Sequence, residues 1–173
     1  MQDTARLKAV PTQYSDRTAI AHLRQLYITD CKVKHPELPY YSSPPFKASK
    51  TNDLTRCVSA FLKLKGHFCE RTGVEGRVMD QRQTVTDILG NRRIIGDVRR
   101  VKSSGKKGTS DLKAIINGRF VAIEVKNCLT RDRQRPDQKH YQAEVEASQG
   151  LYIICTSFAQ FVNWYYANTG GIR

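Results

Sequence analysis

Asp111–Lys126 reads "DLKAIINGRFVAIEVK", and the Asn117-Gly118 pair at its centre decides how the surrounding chain folds. Asn-Gly between two apolar runs is the strongest short-range signal for a two-residue β-hairpin, because both turn positions need φ above zero. After the turn Val121, Ile123 and Val125 alternate with Ala122, Glu124 and Lys126, the period of a strand. Placing Ile116 opposite Arg119 sets the rest of the register. Ile115 then faces Phe120, Lys113 faces Ala122, and Asp111 faces Glu124. Directly opposed residues lie on one face of a sheet, with Cβ atoms roughly 4.5–5.5 Å apart. Lys126, two residues beyond Glu124, projects on the same side.

Opposed like charges destabilise a sheet unless a cation lies between them or one acid holds a proton. A hard divalent ion such as Mg²⁺ takes one or two carboxylates, keeps several waters, and completes its shell on substrate phosphate. A lysine beside it suits orientation of an attacking water or stabilisation of charge developing on phosphorus. The competing reading is a cross-strand ion-pair cluster, with Asp111 and Glu124 sharing Lys126 or Lys113. The apolar flanks and the lysine-rich loop upstream (Lys102, Lys106, Lys107) favour the cation site.

Composition points the same way. Lys plus Arg number 29 against 16 acids, a net charge of +13 in 173 residues. Such an excess favours a polyanionic partner, nucleic acid above all, through counterion release. The five cysteines include no Cys-x-x-Cys pair and no Cys/His spacing for zinc, and most fall in apolar runs. They read as core residues of a protein in a reducing cytoplasm, the host's if the chain is phage-encoded. No run approaches membrane-spanning length, so no membrane partner is expected.

Along the chain, Ser15 or Asp16 caps a helix with Ile20, Leu23, Leu26 and Tyr27 on one side, ended by Pro36. Pro36–Lys50 is rich in Pro and Ser and reads as a linker. Residues 1–49 are thus expected to be a helical extension on a domain spanning 50–173. In that domain Thr51 caps a helix carrying Leu54, Cys57, Val58, Phe61 and Leu62, with Gly66 as its stop. "HFCERTG" is a short strand, and Thr84–Leu89 and Arg93–Val98 are two strands about a Gly90-Asn91 turn. Pro136 opens a helix reaching Ser148 with Gly150 as its stop, "LYIIC" is a buried strand, and Ser157–Ala167 is a last helix. The expected fold class is α/β, a mixed central sheet flanked by helices.

At the hairpin the sequence resembles the PD-(D/E)xK nuclease superfamily. "GTSD" (Gly108–Asp111), followed by "IEVK" (Ile123–Lys126) with Glu124 thirteen residues after Asp111, is similar to its core motif. More narrowly the chain resembles the VRR-NUC and Holliday-junction-resolvase-like branch, which also occurs in phages. There a helix and a strand precede the motif and a glutamine opens the helix after it. The similarity covers about Lys50 to Tyr166. It implies a restriction-endonuclease-like core and cleavage of DNA with Mg²⁺ or Mn²⁺. It further implies Asp111, Glu124 and the Val125 carbonyl as metal ligands, Lys126 as the catalytic lysine, and Gln138 as the glutamine supporting the site. Arg71 matches a basic residue at the end of the family's first strand. The family's proline before the first acid is Ser110 here, and its first-helix glutamate has only Asp53 near its place. "RPDQ" at Arg135–Gln138 is a false start of the motif, since no lysine lies two residues beyond Glu144 or Glu146.

The remaining basic residues, Lys106, Lys107, Arg131, Arg133 and Arg135, flank the two motif strands and suit phosphate contacts. The four histidines are scattered and suggest no metal site. Two functions stay open, a metal-dependent endonuclease and a non-catalytic DNA-binding module. A branched-DNA resolvase would be a C2 homodimer, with the first helix or the Trp164 helix offering the interface.

Overall fold

The computed structural model describes residues 13–73, 77–101, 106–126 and 133–169. Lys102, Cys128 and Arg131 lie outside them. Four helices, α1 (Asp16–Lys34), α2 (Thr51–Leu64), α3 (Pro136–Ala147) and α4 (Phe158–Thr169), accompany eight strands. β1 (Phe68–Arg71), β6 (Leu112–Ile116), β7 (Arg119–Val125) and β8 (Leu151–Cys155) form a four-stranded sheet in that order. β1, β6 and β7 are antiparallel neighbours, and β8 lies parallel to β7 after the α3 crossover. The class is α/β with a mixed sheet, as expected.

The hairpin register is the one counted from the turn: Ile116 pairs with Arg119, Ile115 with Phe120 and Leu112 with Ile123. Asn117 (φ 50) and Gly118 (φ 77) both take the left-handed conformation that a primed two-residue turn demands. From Val121 onward β7 is buried on both faces. Val121, Ile123 and Val125 join Leu112, Ala114 and Ile116 in a core closed by α1, α2 and α4. Ala122 is buried outside that core, on the face where α3 packs against β8. Odd and even positions of one strand therefore serve two different layers.

Residues before Lys50 pack into the core of the domain that follows. Ala19 and Leu23 of α1, and Phe46 of the Pro/Ser-rich segment, belong to the same core as α2 and α4. Tyr14 N–H donates to Asn163 Oδ1 at 2.7 Å and Asn163 Nδ2 donates back to the Tyr14 carbonyl at 3.0 Å. Asp16 Oδ1 accepts the Ala159 N–H at 2.9 Å, capping α4 from α1. The apolar faces of α1 and α4, both considered for a dimer, are occupied within the chain.

Smaller corrections concern ends. Lys50, not Thr51, is the N-cap of α2, and Gln149 (φ 65), not Gly150, takes the left-handed position after α3. The strands expected at Thr84–Leu89 and Arg93–Val98 are the shorter β3 (Gln83–Thr86) and β4 (Arg92–Ile95). They continue into a second pair that the sequence reading did not anticipate, β2 (Arg77–Asp80) with β5 (Val98–Val101). Among the described residues no helix is long and apolar enough to cross a membrane. Cys57, Cys69 and Cys155 are free and buried, and burial pushes the Cys57 and Cys155 thiols up to about 11 and about 12.

Two predictions follow the packing. Leu23→Ala, which opens a cavity under α1, should cost roughly 2–5 kcal/mol in urea unfolding, in one transition with the rest of the domain. A separate transition unaffected by the substitution would mark α1 as an appendage. The second concerns His22 and His67, which bond the Tyr166 and Tyr165 hydroxyls at 2.8 Å. Burial, seconded by Lys65, holds both imidazoles below their ordinary value of 6.5. The unfolded chain binds more protons once pH falls through that value, so stability is lost on acidification. The melting temperature should drop between about pH 7.5 and 5.5. His22→Gln/His67→Gln should flatten that drop in calorimetry.

Candidate active site

Asp111 ends the loop that enters β6, Glu124 lies at the end of β7 with Lys126 just beyond it, and Gln138 lies in the first turn of α3. All four line one cavity of about 560 Å³, with Lys107, Gly108, Thr109, Arg135 and Asp137. The Asp111 side chain extends the hairpin beyond its last paired residues, its Oδ2 accepting the Val125 N–H at 2.9 Å. On its other side the Asp111 carbonyl accepts the Thr72 N–H at 2.9 Å, fixing the residue between two strands.

Glu124 is 3% exposed and Lys126 6%. Their Oε1 and Nζ are 3.1 Å apart, so the carboxylate is neutralised where it is buried. Gln138 completes the arrangement. Its Nε2 donates to Glu124 Oε1, and its Oε1 accepts from Lys126 Nζ at 3.2 Å and from the Arg135 N–H at 2.9 Å. The last bond satisfies an N-terminal donor of α3, so one amide both starts the helix and holds the acid–lysine pair. Lys126 N–H continues the parallel ladder to the Cys155 carbonyl at 2.9 Å, which fixes the backbone from which Nζ reaches.

Tyr152 on β8, beside Ala122, reports the field of the site. Burial first and then the Glu124 charge, with a smaller contribution from Asp111, push its phenol up to about 12. Both carboxylates thus act on one neighbourhood. In the sequence Tyr152 was only part of an apolar run, and no local signal marked it.

Gly108, the first residue of the "GTSD" stretch, is needed for its lack of a side chain. It sits at φ +77, and a Cβ there would lie 2.2 Å from the Asp137 carbonyl oxygen. The entry loop and the start of α3 meet backbone to backbone. Ser110 is fully buried and donates its hydroxyl to the Leu112 carbonyl at 3.0 Å.

The basic residues divide. Lys107 and Arg135 are exposed at the cavity, and Arg133 is exposed just before α3. Lys106, expected on phosphate, is paired with Glu144 of α3, which lowers the Glu144 pKa. Arg71 and Asp53 line a neighbouring groove between α2 and β1, where Arg71 donates to Asn52 Oδ1 at 2.9 Å. Asp137, dismissed with the false motif, lies exposed at the cavity all the same. Among the described residues no three His, Cys, Asp or Glu side chains gather as a metal-holding cluster. Two carboxylates and the Val125 carbonyl are all hard oxygen donors, a set whose chemistry fits Mg²⁺ or Mn²⁺ and not a soft ion.

No model of a known protein family matches the chain, and no curated protein matches its sequence. Gln138→Ala removes three hydrogen bonds at once. It should lower unfolding stability by about 1 kcal/mol or more, as loss of a capping side chain does. An unchanged denaturation midpoint would show that the amide supports nothing.

Proposed function

We propose that the chain is a Mg²⁺- or Mn²⁺-dependent endonuclease hydrolysing DNA phosphodiester bonds on a restriction-endonuclease-like core. Branched DNA is the structure-selective substrate in view. The observation that carries the reading is the meeting of Asp111, Glu124, Lys126 and Gln138 in one cavity with exposed Lys107 and Arg135. The order of helix and strand before the hairpin, and a glutamine opening the helix after it, agrees with the resemblance.

Asp111, Glu124 and the Val125 carbonyl would hold the ion. When bound, it would supply Lewis acidity for the phosphoryl oxygen and the attacking water. Lys126 brings a positive charge to the same point, suited to orienting the nucleophile or to charge growing on phosphorus. Gln138 fixes both Glu124 and Lys126, removing rotameric freedom before substrate arrives. Lys107 and Arg135 offer phosphate contacts that set the strand's position without reading its bases.

One observation favours a second reading. Glu124 and Lys126 are buried together and already neutralise each other, as in a packed structural pair. In that case the chain is a non-catalytic DNA-binding module. Supercoiled plasmid and a four-way junction, each with Mg²⁺, Mn²⁺ or EDTA, decide between them. Wild type should cut only with metal, and Asp111→Ala and Lys126→Ala should each cut about 100-fold more slowly or worse. Binding without cutting by wild type establishes the second reading, and equal cutting by the variants removes the site.

A further inference from the structure

The segment Arg77–Val101 is folded but has no core. β2 with β5, and β3 with β4, form one two-stranded ribbon, linked across its bend by the Gln81 N–H to Asp97 carbonyl bond at 3.0 Å. It joins neither the four-stranded sheet nor the hydrophobic core. None of its described side chains is buried. A lone two-stranded hairpin is marginally stable in water at best, so a ribbon of this length calls for an occupant against its faces.

The tip is built to present apolar groups. Asp87 Oδ1 accepts the Leu89 and Asn91 N–H groups at 2.9 and 2.8 Å, and the Gly90 N–H bonds the Asp87 carbonyl at 3.0 Å. That turn holds Ile88 at 102% exposure and Leu89 at 82%. Along the strands Val78, Val85, Ile94, Ile95, Val98 and Val101 are also exposed.

Charge selects the occupant. The segment holds six arginines and three aspartates, with no lysine or glutamate. Asp80 is paired with Arg82 at 2.7 Å and Asp97 with Arg99 at 2.9 Å, while Asp87 is engaged in the tip turn. Arg92, Arg93 and Arg100 are exposed and make no ion pair among the described residues. Arg92 and Arg93 are consecutive and so project from opposite faces. A second copy would set one basic ribbon against another. A DNA duplex offers anionic rails for the arginines and, between them, base edges and thymine methyls for the aliphatic side chains. The major groove admits a two-stranded ribbon. From Arg77 to the tip the ribbon reaches at most about 35 Å at ~3.3 Å per residue, near one turn of duplex. Its chain leaves the sheet after Arg71 and returns at Gly108–Asp111, the end of the sheet that carries the cavity.

We propose that the Arg77–Val101 ribbon is a DNA-binding arm that enters a groove of the duplex, with Arg92, Arg93 and Arg100 on the phosphates and the Ile88-Leu89 tip against the bases. This rests on the reading of the protein as one that acts on DNA.

The test is fluorescence anisotropy of a labelled linear duplex with the full chain in EDTA, across salt concentrations. Arg92→Ala/Arg93→Ala/Arg100→Ala should bind at least about tenfold more weakly, with a salt slope shallower by about 2–3. Lysine at all three positions should restore the slope. Ile88→Ser/Leu89→Ser should weaken binding while leaving the slope unchanged. Unchanged affinity and slope in the arginine variant, with the wild-type melting curve, overturns the arm. So does a ribbon-dependent dimer in sedimentation whose DNA affinity the variants leave alone. Cleavage with Mg²⁺ is read separately. Arm-dependent binding by a wild type that cuts nothing keeps the arm and removes the nuclease. A wild type that cuts, with a variant that binds as tightly, does the reverse.

Discussion

A carboxylate at 3% exposure cannot stand in a protein interior without positive charge and hydrogen-bond donors against it. Glu124 imposes that demand at the end of the central strand, and the surrounding structure answers it from three directions. Lys126 comes from the same strand two residues on, Gln138 from the first turn of α3, and the ladder to Cys155 holds the backbone in place. α3 cannot shift without breaking the Gln138 bonds. The Gly108 loop cannot move toward it, because the two backbones already touch. The first turn of α3 is thus tied to one buried acid, while Val145 and the Tyr141–Tyr152 contact seat the rest of the helix.

The first layer works differently. α1, α2 and α4 close over the other face of the sheet mainly by apolar burial, with Phe61 at the centre of edge-on contacts to Phe158, Phe161, Tyr165 and Tyr166 and a few polar bonds such as Asp16 to the Ala159 N–H at the rim. Such a core is tolerant of detail and gives rigidity. It holds β6 and β7 still while their other face carries charge. The strand's alternation is the boundary between the two kinds of interaction, dispersion on the odd side and directional polar bonds on the even side.

Local chemistry made the hairpin legible. A turn that needs two positive φ values and a strand of period two leave one register, observed from Ile116–Arg119 to Leu112–Ile123, and the Asp111 side chain extends it to the Val125 N–H. Gln138 came from the resemblance, and the geometry now supplies a physical reason for it. What stayed hidden was non-local. The stripe of α1 announces an apolar face but not the surface that covers it, so the helix passed for an appendage. β2 and β5 carry arginine and valine on both faces, which gives no period to read. Tyr152 is hidden among aliphatic neighbours, and Gly108 among the glycines and lysines of its loop. Each needs knowledge of which distant segment lies opposite.

The Asn117-Gly118 turn has a kinetic consequence. Asp111 and Glu124 are only thirteen residues apart in sequence, and hairpins with a good turn close in about 1–10 μs. Gln138 and β8 arrive through a parallel crossover, whose pairing is non-local and intrinsically slow. In folding order the two acids are therefore expected to meet early, while still hydrated. The bonds from α3 that fix Glu124 and Lys126 then form as water leaves. The chain meets its like-charge problem in the high dielectric of solvent and enters the low-dielectric state only with the remedy at hand.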